Sequence, residues 1–198
     1  MLIEAILSSL IIGKIRKGKL RNIEKVNFRG WYLFIIGFLI EFTSVFVKMK
    51  EFSPLVQIID QYFLYIHGFS YLLIFIGLIL NFDKKSMILV FIGTLLNLIV
   101  IMANGGKMPV SPNGLKYAGL IDYLQLLKTQ AVPTHMLMTE KTKLYILGDI
   151  IPLPEFYPFA KVLSIGDIFI AIGIFSFIQS AMISKNMFNK GIKYIRFN

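Results

Sequence analysis

The chain contains no cysteine. Disulfides, thiolate metal sites and thiol nucleophiles are therefore excluded from every reading of it. Charge is sparse: 16% of the residues are Asp, Glu, Lys or Arg, where a soluble domain carries roughly 25%. Acid is the scarcer sign, with 11 Asp and Glu against 21 Lys and Arg, and Trp occurs once. Apolar residues take the vacated share, 56% of 198 positions, including 18 Phe. A globule of this length has no core large enough to need so much apolar material. The composition excludes a soluble enzyme, a disordered chain and a coiled coil, and marks a polytopic membrane protein.

The apolar residues fall into runs. The first, Met1 to Gly13 within an expected span at about 1–17, is short and is followed at once by Lys14, Arg16, Lys17, Lys19 and Arg21. A signal peptide carries its positive charge before the apolar stretch, so this segment reads as a retained first helix. About 13 residues rise roughly 20 Å, short of a ~30 Å hydrocarbon core. The helix must run on into the basic segment with snorkelling lysines, or pack as a partial span. Four further runs, at about 30–47, 57–82, 86–103 and 164–184, are long enough to cross. The expected fold is all-α: one integral membrane domain over 1–198, a bundle of about five transmembrane helices, with interfacial helices in a long connection at 104–163.

The basic residues give this bundle an expected orientation. Segment 14–29 holds seven Lys and Arg, the turn at 83–85 two, and the tail after 184 four. With five spans these lie on one side. Lys48, Lys50 and the residues of the long connection lie on the other. The side with dense, short basic loops is cytoplasmic, which puts the N-terminus outside, the C-terminus inside and 104–163 outside. The net charge of +10 then reads as membrane topology rather than as a sign of nucleic acid.

Within the connection, Ser111-Pro112-Asn113 precedes an amphipathic stretch from Leu115 to Lys128, with Tyr117, Leu120, Ile121, Leu124 and Leu127 on one side. A second helical stretch is predicted from Thr139 to Gly148. Pro152, Pro154 and Pro158 then forbid regular helix. Two interfacial helices and a Pro-rich return on the outer membrane face follow from this pattern.

Ionisable and amide groups inside spans are the default pointers to function. Glu41 is central in the second span and lies four residues after Gly37, within a seven-residue repeat of Gly30, Gly37 and Ser44. The plainer reading is a packed face with a hydrogen-bonded or protonated carboxyl; the functional reading is a proton or cation site. Asp60, His67 and Tyr71 share one face of the third span, and Thr94, Asn97 and Asn104 one face of the fourth. Ser164-Ile165-Gly166-Asp167 has the spacing of a capping box and needs only a helix start to explain it. Gly166, Gly173 and Ser180 repeat at seven as a small-residue seam. Asn104-Gly105-Gly106-Lys107 follows the fourth span directly. It fits a helix C-cap and turn, or a backbone nest for an anion with Lys107 adding charge.

Asn104 to Ser111, Leu147 to Pro154 and Ser164 to Asp167 together resemble the signature blocks of a bacterial family of small integral membrane proteins, domain of unknown function 5317. The short first helix with its basic loop is similar too. The resemblance implies a bacterial cell membrane and this architecture; it brings no activity, catalytic residue or ligand. The family-like segments and the expected topology put Asn104, Gly105, Gly106, Lys107, His135, Thr142, Asp149 and Asp167 at the outer face, where they would make a polar cleft. Glu41, Asp60, His67 and Asn97 are the candidate intramembrane polar residues.

Three functions follow. An accessory or scaffolding protein comes first, with segment 14–29 docking a partner or anionic lipid. A solute- or ion-binding or transport component is the alternative, with the intramembrane polar residues lining a path. An envelope enzyme acting on a lipid-linked substrate is the third, with Asp149, Asp167 and His135 as acid and base candidates. No metal-binding spacing, serine elbow or cofactor motif is present, so no cofactor is expected. The expected partners are membrane lipid and a second copy or a membrane partner protein, and not nucleic acid.

Overall fold

A computed structural model describes residues 1–49 and 55–183, without the side chains of Leu55 and Asp60. Four helices are long and apolar enough to cross a membrane: α2 (Trp31–Lys48), α3 (Leu55–Ile79), α4 (Lys85–Ala103) and α7 (Ile165–Ile183). The protein is an all-α membrane protein. Helix α1 (Leu2–Ile15) has 14 residues, a rise of about 21 Å, and packs on a neighbour. That neighbour is α7. Ser9 Oγ donates to the Phe175 carbonyl (2.9 Å), and Gln179 Nε2 donates to the Ser9 carbonyl (2.6 Å). Polar bonds of this kind hold helices together where lipid supplies no hydrophobic drive.

The helices pack in the order α1, α7, α4, α3, α2, so the seventh helix lies between the first and the fourth. Small residues set the closest approach. A Cβ at Gly173 would stand 2.9 Å from the Ser86 carbonyl, and one at Gly166 would stand 2.6 Å from the Gly93 carbonyl. A Cβ at Gly37 on α2 would likewise stand 2.9 Å from the Ser70 carbonyl on α3. Two members of the expected seven-residue repeats drop out. Gly30 sits before α2 with φ of 63°, and Ser180 is exposed because the neighbouring Gln179 is the residue that faces α1.

The two ends of the bundle are chemically distinct. The basic segment 14–29 lies at the end where α7 finishes: the Lys19 amide and Asn22 Nδ2 both donate to the Met182 carbonyl. Buried Asn81 in the α3–α4 turn accepts from the Arg29 amide and donates to its carbonyl. The long connection lies at the other end, where Lys161 pairs with Glu4 of α1.

That connection is a small folded layer. It contains β1 (Met108–Val110), α5 (Pro112–Tyr117), α6 (Ile121–Lys128), β2 (His135–Leu137), β3 (Ile151–Pro152) and β4 (Val162–Leu163). β1 pairs with β2 in parallel, Met108 opposite His135, and β3 pairs with β4 antiparallel. These short ladders carry no alternating hydrophobic pattern and are not visible in the sequence. The amphipathic stretch is two helices, broken at Gly119 with φ of 71°, where a side chain would also meet Glu155. Its buried residues are Leu115, Ala118, Leu124 and Leu127, of which the three leucines close a core with Val110; Tyr117 and Ile121 are exposed. The helix predicted over Thr139–Gly148 is replaced by a turn in which Thr142 Oγ1 accepts from the Thr139 amide, and by a single 3-10 turn at Tyr145–Leu147. Leu144, at φ of 52°, interrupts any continuous helix there.

Candidate functional site

Members of both sets of candidate residues, one read from the spans and one from the connection, meet in a single cavity of about 390 Å³. Its walls come from α2, α3, α4, the start of α7 and the connection. Glu41, His67, Asn97, His135, Asp149 and Asp167 all line it.

Glu41 and His67 form the part set within the spans. His67 Nδ1 and Glu41 Oε1 are 2.6 Å apart, within hydrogen-bond distance. The other atom of each group, His67 Nε2 and Glu41 Oε2, is buried and has no hydrogen-bond partner among the described residues. Such an atom costs about 1–3 kcal/mol unless something else supplies a partner. Tyr71, one helical turn from His67, brings its ring centroid to 4.9 Å from the imidazole.

Asn97 on α4 joins this region to the start of α7. Its Nδ2 donates to Asp167 Oδ1 (3.1 Å), and its Oδ1 accepts from Ser164 Oγ (2.8 Å). The capping box is present as its spacing predicts. The Asp167 amide donates to Ser164 Oγ, and the Ser164 amide donates to Asp167 Oδ2. Asp167 is therefore both a helix cap and a cavity wall, held by three donors or acceptors from two elements.

The connection contributes His135 and Asp149 through backbone pairing. β1 is flanked on one side by β2 and on the other by residue 149, whose amide donates to the Pro109 carbonyl at 2.9 Å. Gly148 permits this approach, since a Cβ there would stand 2.6 Å from that carbonyl. His135 Nε2 and Asp149 Oδ2 end 3.9 Å apart. Burial pushes the Asp149 carboxyl up to about 8, and the negative charge of Asp167 adds to the effect. Burial also holds His135 below its ordinary value, against the opposing pull of Asp167. At neutral pH the contact is thus between an uncharged acid and an uncharged imidazole, not an ion pair. The Tyr123 phenol, whose ring packs edge-on to His135, is pushed up by burial and by Asp149.

The remaining candidates stand elsewhere. Gly105 and Gly106, at φ of 69° and 85°, end α4: the Gly106 amide donates to the Ile101 carbonyl and the Gly105 amide to the Met102 carbonyl. These are the two bonds of a Schellman cap. Asn104 exchanges hydrogen bonds with the backbone of Lys143 and so pins the connection to α4. Thr142 serves its own turn, and neither it nor Lys107 lines the cavity. The side chain of Asp60 lies outside the described residues. Among the described residues no group of three His, Asp or Glu is arranged to hold a metal ion. Ser70 and Thr134 also line the cavity. Sequence reasoning passed over both; Thr134 was accessible to it only as the neighbour of His135.

Comparison with known proteins places these features in a family. The sequence model of a family of unknown function, DUF5317, matches residues 25–179. The match takes in α2 to α7 up to Gln179 and leaves α1 outside. An uncharacterized protein of Thermotoga maritima is 31% identical over 181 residues, covering 89% of each chain. No solved structure matches.

Proposed function

The chain belongs to the DUF5317 family of membrane proteins, and from that premise we propose that it binds a small polar solute in the cavity between its spans and its folded connection, as a binding or transport component. One observation carries the reading: two buried polar atoms on the cavity wall, His67 Nε2 and Glu41 Oε2, lack a partner. A chain that only scaffolds has no use for that cost. An accessory role, the first expectation from the sequence, therefore ranks second. Volume supports the choice, since about 390 Å³ lies at the lower end of the ~300–1,000 Å³ of small-molecule sites. The bacterial cell membrane is the proposed location. The end carrying 104–163 faces outward and the basic end faces the cytoplasm, as Lys and Arg accumulate inside.

The lack of native cysteine makes the test direct. Single-cysteine variants Thr134→Cys and Ile101→Cys line the cavity, and Ala181→Cys is buried away from it at 1% exposure. In nanodiscs, iodoacetamide is expected to alkylate the first two and spare the third. An Ile101→Cys variant as inert as Ala181→Cys would refute a solute-accessible site. For orientation, an impermeant maleimide on intact cells should label Glu140→Cys and not Lys19→Cys; the opposite pattern reverses the proposed topology.

A further inference from the structure

We infer that the solute is a small organic ammonium ion, seated between the Glu41–His67 pair and the carboxyl groups of Asp149 and Asp167. The inference rests on the solute-binding reading above and names the chemistry of its guest.

Among the described residues the wall supplies three carboxyl groups and no Lys or Arg. With the Asp149 carboxyl protonated at neutral pH, an anion would find no Lys or Arg to pair with and would face Glu41 and Asp167. A cation finds the reverse. The two unpartnered atoms agree with this. Glu41 Oε2 is an acceptor whenever the carboxyl is ionised. His67, which is 5% exposed, leaves Nε2 able to accept when the proton sits on Nδ1 toward Glu41. An ammonium group brings two or three N–H donors, enough for Glu41 Oε2 and a second partner in one position. The aromatic lining suits the same charge, because Phe38 and Tyr71 stand on the wall and their ring faces attract cations at close range. A bare metal ion is a poorer guest, since no three-ligand cluster exists among the described residues. Most of the remaining wall, including Ile74, Ile101 and Met108, is apolar and fits a short hydrocarbon tail.

The test uses Thr134→Cys in nanodiscs at pH 7.5 and asks which of three isosteres slows its alkylation by iodoacetamide: n-butylamine, n-butanol or butyrate. Butylamine is expected to protect at concentrations at least tenfold below those of butanol, with butyrate the weakest. In a Thr134→Cys/Glu41→Gln background the concentration of butylamine needed should rise about tenfold or more, with protection read against that variant's own unprotected rate of alkylation. Equal protection by amine and alcohol, or better protection by butyrate, overturns the ammonium assignment and leaves the solute cavity standing. This selectivity series needs no change at Glu41 and so decides the matter even if the double variant does not fold. Failure of Thr134→Cys to react at all overturns the cavity reading itself.

Discussion

Replacing Asp149 with Asn isolates the cost of burying its carboxyl. The acid holds its proton up to about pH 8 in the folded chain, against an ordinary value of 3.8. The groups facing it are His135 from β2, Asp167 from α7 and Tyr123 from α6. Between those two values the folded state carries a proton that the unfolded state has released. Stability is therefore greatest below pH 4 and falls as pH rises, by about 1.4 kcal/mol per pH unit, until it levels near pH 8. Asp149→Asn removes this dependence. From pH 5.0 to 7.5 the variant should gain on the wild type by on the order of 3 kcal/mol. That corresponds to a Tm difference widening by roughly 6–12 °C, at about 2–4 °C per kcal/mol. Thermal unfolding of both proteins in the same detergent, followed by circular dichroism at several pH values, reads the difference. Parallel pH profiles would refute the argument and show that the carboxyl reaches solvent or a cationic partner.

Two further outcomes follow from packing. Gly93→Ala should destabilise the bundle by about 1–3 kcal/mol, because the added methyl meets Ile170 and the Gly166 backbone across the α4–α7 contact; a change within 0.5 kcal/mol in thermal unfolding would contradict that geometry. Ser164→Ala should cost about 1 kcal/mol by uncapping α7. It should also speed backbone hydrogen exchange at Ile165–Asp167, and unchanged exchange there would count against the capping role.

The spans were readable because run length against bilayer thickness is a one-dimensional property. So was the capping box at Ser164 and Asp167, whose partners are three residues apart. The Schellman end of α4 was also local, and Asn-Gly-Gly advertised it. The pairing of Glu41 with His67 was not readable in this way. The two residues are 26 apart in sequence, and whether they meet depends on the rotation of α2 against α3. Each residue could be singled out as polar within a span, but not assigned its partner. His135 and Asp149 meet only through the parallel pairing around β1, whose strands are too short to show periodicity. The heptad spacing of Gly173 and Ser180 was half informative, because it marks a shared face but not where along that face the neighbouring helix ends. Gly119 was read as part of an amphipathic stretch; its positive φ belongs to a Schellman cap that ends α5, in which the Gly119 amide donates to the Lys116 carbonyl and the Leu120 amide to the Leu115 carbonyl.

The place of α7 between α1 and α4 has a consequence for biogenesis. Ser9 and its partner Phe175 are separated by 166 residues. At roughly 5–20 residues per second, a ribosome takes on the order of ten seconds or more to deliver the second after the first. Over that interval α1, at 14 residues shorter than the four long apolar helices, has its polar contacts to α7 unmatched. The insertion machinery must retain α1 until α7 emerges, and a nascent chain released before Ile165 should be cleared by membrane proteases rather than accumulate.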